Sequence, residues 1–207
     1  MRDGEAKSGL DYGRGDSRQI SKWLKMMPVN SICSMHMQGD PIQNSASMPY
    51  TVGMFAYKHP TLKFIINHAG DFGQGGFSNK PKSYVTVTKK KEIKFFPAYR
   101  YAHSQGLVST SVFLANSLHN VLIDTSVHTL FKGKAMKSCK RWAIGSDYPF
   151  QIKENAKATS KLFLCEEKKF VNSLNQEIVD QCHRNAYKWL TADYKDLIKE
   201  QEDNWNL

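Results

Sequence analysis

His59-Pro-Thr-Leu-Lys-Phe-Ile-Ile-Asn-His-Ala-Gly70 is the stretch on which the fold turns. His59-Pro60 stops the helical pattern before it, because the residue preceding a proline is pushed out of the α region. Lys63 to Asn67 is then a short apolar, β-branched run, cut off by His68 and a glycine. Such a run reads as a buried strand that delivers its last side chain to the edge of a sheet. The pattern recurs along the chain. Ser31 to Met35 ends on His36, thirty-two residues before His68; Asn120 to Ser126 carries Asp124 and Ser126 at its end; Trp142 to Ser146 ends on Asp147.

Helical periodicity fills the intervals. Arg18 to Met27, capped by Asp16-Ser17, places Ile20, Trp23, Leu24 and Met27 on one face, and Ser47 to Lys58 does the same with Val52, Phe55 and Ala56. Further helices are expected over Val108 to Ser117, Lys153 to Phe163 and Asn175 to Leu190, the last with Ile178, Cys182, Ala186 and Leu190 on one side. Trp23, Trp142 and Trp189 are expected in the core. Strands alternating with helices imply βαβ units and an α/β fold with a parallel sheet. Residues 1–16, rich in Gly, Asp and Lys, read as a flexible arm, and 17–207 as one domain. Within it, 73–106 reads as a long excursion carrying a hairpin or lid. The glycines from Gly70 to Gly76 lack phosphate-loop spacing and read as flexibility.

With 207 residues, 41% of them hydrophobic, the chain can bury a substantial core. No apolar run is long enough to cross a bilayer, and the polar start Met1-Arg-Asp-Gly-Glu has no signal-peptide core, so a cytoplasmic protein is expected. Cys33, Cys139, Cys165 and Cys182 are widely spaced, with no C-x-x-C pair, which fits reduced thiols. Cys33 reads as a small buried hydrophobe. The formal charge of +10 would attract polyanions, and a basic polyanion-binding protein is one alternative reading. The distribution argues against nucleic acid: Lys89-Lys-Lys91 is clustered, but most other lysines fall on the solvated faces of amphipathic helices.

Four blocks then arrive in a telling order: Met35-His-Met-Gln-Gly-Asp40, His59 to Gly70, Asn120-Val-Leu-Ile-Asp-Thr-Ser126 and Ile144-Gly-Ser-Asp-Tyr-Pro149, followed by Glu177-Ile-Val-Asp-Gln-Cys-His-Arg-Asn-Ala186. Together they resemble the second half of the amidohydrolase-related TIM-barrel hydrolases, the group that includes aminocarboxymuconate-semialdehyde decarboxylase. The resemblance implies a parallel (β/α) barrel of TIM type, incomplete here and spanning about strands five to eight. It also implies a divalent metal, zinc above all, and a small carbonyl or carboxylic substrate. By the same resemblance His36 is a metal ligand, His68 polarises substrate or moves a proton, and Asp147 is a metal ligand and base. Asp124 and Ser126, at the end of their strand, are expected on the same rim, either as substrate contacts or as structural hydrogen-bonding groups. In such a barrel, catalytic groups gather at the carboxyl ends of the strands, where the βα loops vary without disturbing the packed interior.

One departure from the family pattern is plain: the sequence contains no His-x-His, which the family places on its first strand. His36 and Asp147 alone are one ligand short of a catalytic zinc site, unless His103, His119, His128 or another chain supplies the rest. Four strands would also expose an inner face and two open edges. That predicts either a homo-oligomer or a complementary amino-terminal half-barrel chain, and it leaves a non-catalytic half-barrel as the rival to an enzyme.

Overall fold

Four short strands, β1 (Ile32–Met35), β2 (Lys63–Ile66), β5 (Val121–Asp124) and β6 (Trp142–Ala143), lie side by side in chain order, every neighbouring pair parallel. The register sets Cys33 beside Phe64, Ile66 beside Ile123 and Ile123 beside Trp142. The structure is a computed structural model that describes residues 17–36, 49–70, 85–87, 93–95, 107–124, 141–145, 172 and 174–205. Its helices are α1 (Ser17–Met26), α2 (Pro49–Lys58), α3 (Leu107–Ser117), α4 (Gln176–Thr191) and α5 (Tyr194–Trp205). Strands β3 (Val85–Val87) and β4 (Ile93–Phe95) pair antiparallel, Val85 opposite Phe95; the rest of the stretch expected as an excursion lies outside the described residues. The helix expected over 153–163 lies outside the described residues.

Alternation along the strands divides the core. Cys33, Met35, Phe64, Ile66, Val121, Ile123 and Trp142 join the apolar sides of α1, α2 and α3 in one cluster. On the other face Leu122 and Ile65 meet Trp189 and Leu197. Each fully buried apolar side chain is worth about 1.5–3 kcal/mol, which makes the larger cluster the main source of stability. Helices α2 and α3 pack closely because Gly53 leaves room for Leu114, whose Cδ1 would stand 2.9 Å from an added Cβ.

The amino ends of the strands are tied down by polar side chains. Asn120, fully buried before β5, donates through Nδ2 to the carbonyls of Ala56, His59 and Leu62 at 2.9–3.1 Å, fixing the turn from α2 into β2. Lys63, 2% exposed, donates from Nζ to the carbonyls of Trp189 at 2.8 Å and Ala192 at 2.9 Å. These carbonyls close α4, where unpaired oxygens and the negative end of the helix dipole favour a cation. Asn30 completes the join, donating to Asp193 Oδ2 at 2.8 Å and accepting from the Tyr194 amide at 2.7 Å.

Two expectations are corrected. Trp23 is not core: Ile20 and Leu24 are buried, while Trp23 stays 46% exposed, because the buried stripe of α1 is narrower than its apolar stripe. The chain also has a helix, α5, beyond the one expected to end at Leu190. Trp142 and Trp189 are buried as expected, and so is Cys33, whose thiol burial pushes up to about 11.

Candidate functional site

β1 and β2 run side by side and end level, Met35 opposite Ile66, so the residues that follow them meet at one edge. Strict alternation would send His36 to the face of Ser34 and His68 to the face of Phe64 and Ile66. A left-handed turn overrides this: His68 has φ 55°, Ala69 φ 50° and Gly70 φ 89°. Only glycine adopts that region without penalty, so His68 and Ala69 hold a conformation costing about 1–2 kcal/mol each. The result is a direct contact. His68 Nε2 lies 3.0 Å from His36 Nδ1, with the rings edge to face at 85° and their centroids 4.8 Å apart.

One of those two nitrogens carries the proton and the other accepts it. His68 is 1% exposed and His36 half-buried. Burial first, and the neighbouring His68 second, bring the His36 ring down from 6.5 to about 4. His36 is therefore a neutral imidazole at neutral pH, the form that binds metals and accepts protons.

Beside the pair, Ser34 and Asn67 bond reciprocally: Asn67 Nδ2 donates to Ser34 Oγ at 2.9 Å, and Ser34 Oγ donates to Asn67 Oδ1 at 3.1 Å. Sequence reasoning missed this pair, although both residues carry the alternation parity of His36. Asp124 ends β5 at the same edge, its carboxyl group packed against Gly145, where an added Cβ would stand 2.8 Å from its Cγ. Gly145 follows β6, so its missing side chain lets the Asp124 carboxylate lie across the strand end. His119 is brought elsewhere. It precedes β5, at the amino edge, and its Nε2 bonds to the Pro60 carbonyl oxygen at 2.9 Å. Asp147, Ser126, His103, His128 and Lys89 to Lys91 lie outside the described residues.

The donor chemistry of the pair fits a metal in part. The 3.0 Å contact is a hydrogen bond, so its two facing nitrogens do not both present lone pairs. In the tautomer in which His36 Nδ1 donates to His68 Nε2, the lone pair that could ligate a metal is on His36 Nε2. Among the described residues no group of three or more His, Cys, Asp or Glu side chains is placed to hold a metal. Nor, among them, is any helix long and apolar enough to cross a membrane. No family model, curated protein or solved structure matches the chain.

Proposed function

We propose that this chain is a metal-dependent hydrolase or decarboxylase of the amidohydrolase-related type, acting on a small carbonyl or carboxylic substrate. In this reading the four-stranded sheet is an arc of a parallel (β/α) barrel of TIM type. The observation that carries it is the contact of His36 with His68 across the ends of two adjacent parallel strands. Strand order supports the arc: each strand neighbours the next in sequence, whereas a doubly wound sheet reverses direction at a switch point.

A bound divalent metal would polarise the substrate carbonyl and bring a water to ionise near neutral pH. His36, kept neutral by burial, offers an imidazole lone pair as a ligand. His68, locked by its turn and its bond to His36, would hold a proton near developing negative charge or pass it on. Asp147 would be a further ligand and the base that takes the proton from the attacking water. Asp124, braced on Gly145, and Ser126 would line the substrate rim.

The test is metal content of the purified chain by elemental analysis, with His36→Ala and Asp147→Ala beside it. Near-stoichiometric zinc that both substitutions abolish is expected. A metal-free protein, or zinc indifferent to both, would overturn the reading. So would full turnover retained after His68→Ala or Asp147→Asn.

A further inference from the structure

We infer that the amino edge of the sheet, where α1 and α2 end, docks on the surface of an anionic lipid bilayer. The inference is independent of the hydrolase reading above, whose site lies at the opposite, carboxyl edge of the same strands.

Helices α1 and α2 both run down to the amino edge, and the turns that follow them are joined. The Asn30 amide donates to the Thr61 carbonyl at 2.9 Å, and the Lys63 amide to that of Ser31 at 2.9 Å. The joined ends leave apolar side chains in water: Met26 is 82% exposed, Val29 56%, Tyr57 49% and Trp23 46%. Met26 and Val29 are projections, standing out from elements whose Ile20 and Leu24 are buried. A folded protein partner would need a shaped counterpart for each of them. Lipid deforms around such points, and Trp and Tyr favour the boundary between headgroups and acyl chains.

Charge selects the kind of lipid. Residues 17–36 and 49–70 contain no Asp or Glu, and carry Arg18, Lys22, Lys25, Lys58 and Lys63. Lys63 is buried in its clasp, whereas Lys22, Lys25 and Lys58 are exposed on the same two helices as the apolar projections. Burial first, then Lys25 and Lys58, hold the His59 ring below the usual imidazole value, which sets both ammonium groups near that ring. The other exposed apolar pair, Tyr187 and Leu190 on α4, sits in a different field, since 176–205 holds seven carboxylates against four lysines and arginines. Asp193, bonded to Asn30, marks the boundary between the two surfaces. Anionic headgroups attract the first surface and repel the second, so the molecule settles onto the ends of α1 and α2 and leaves the edge of His36 and His68 toward water. The contact is peripheral, because among the described residues no helix is long and apolar enough to cross a membrane.

The test is cosedimentation of the full chain with phosphatidylcholine vesicles, with and without phosphatidylserine. Three variants stand beside it: Lys22→Gln with Lys25→Gln and Lys58→Gln, Met26→Ser with Val29→Ser, and Tyr187→Ser with Leu190→Ser. All these positions are exposed, and far-UV circular dichroism checks that each variant folds. The expected result is binding that requires phosphatidylserine. It should weaken about fivefold for each lysine removed and about tenfold or more with the Met26 and Val29 pair, and stay unchanged with the α4 pair. No binding to anionic vesicles, the outcome an acidic protein partner would leave, overturns the inference. So does equal binding to vesicles without phosphatidylserine, binding that either of the first two variants leaves intact, or equal weakening by the α4 pair.

Discussion

His68 Nε2 and His36 Nδ1 stand 3.0 Å apart because a left-handed turn carries His68 out of the alternation of its own strand. Burial first, and the neighbouring His68 second, depress the His36 ring. With a folded value of about 4 against 6.5, the unfolded chain takes up a proton that the folded one refuses. Stability should therefore fall as pH drops below about 6.5 and level off below about 4. Denaturant titration across that range, with His36→Gln as the flattened control, checks the slope. In His68→Ala the NMR titration of His36 should move upward, since one of the two influences that depress it is gone.

Ala69 pays a steric penalty at φ 50° that glycine would not. Ala69→Gly should leave stability unchanged or raise it by about 0.5 kcal/mol, the relief of strain outweighing the entropy of the freer unfolded chain. The same change at Ala56, inside α2, should cost about 1 kcal/mol. Thermal melts of the two variants make the comparison.

Lys63→Met keeps most of the aliphatic stem and removes two charge-assisted bonds to the end of α4. A loss of about 3 kcal/mol is expected in urea unfolding. Amide exchange should rise first where α4 gives way to α5, because Lys63 and Asn30 hold that junction to the sheet.

Gly145→Ala would set a Cβ against the Asp124 carboxyl group and force it aside. We expect a loss of about 1–3 kcal/mol. In the Asp124→Ala background the same substitution should cost less than half as much, a coupling that a double-mutant cycle reads directly.

The strand ends were legible because their apolar runs are short and stop on polar residues before glycine or another breaker. Cys33, Phe64 and Ile66 are buried where alternation puts them. What escaped was not local. Lys63 looks like a solvated strand start, and nothing nearby shows that its partners lie 126 and 129 residues further on. The left-handed turn leaves only Gly70 as a trace, since His68 and Ala69 are not residues that favour it. Helix α5 has a polar composition that hides its one buried stripe at Leu197 and Gln201, although Asp193, which accepts from the Lys195 amide at 2.9 Å, is a starting signal. Trp23 has the right spacing for burial yet stays 46% exposed, so spacing alone does not decide how much of an apolar stripe is covered.

The Lys63 clasp also governs when the fold can finish. During synthesis β1 and β2 emerge early and can pair while helices α2 and α3 gather on one face. Yet the ammonium at the foot of β2 has to wait in water until Ala192 has left the ribosome. Only then is there a helix end to receive it, so the nascent chain should hold a partly built sheet with an open foot. That interval is when a second strand edge, from another nascent copy or from a chaperone, has its longest opportunity to engage it.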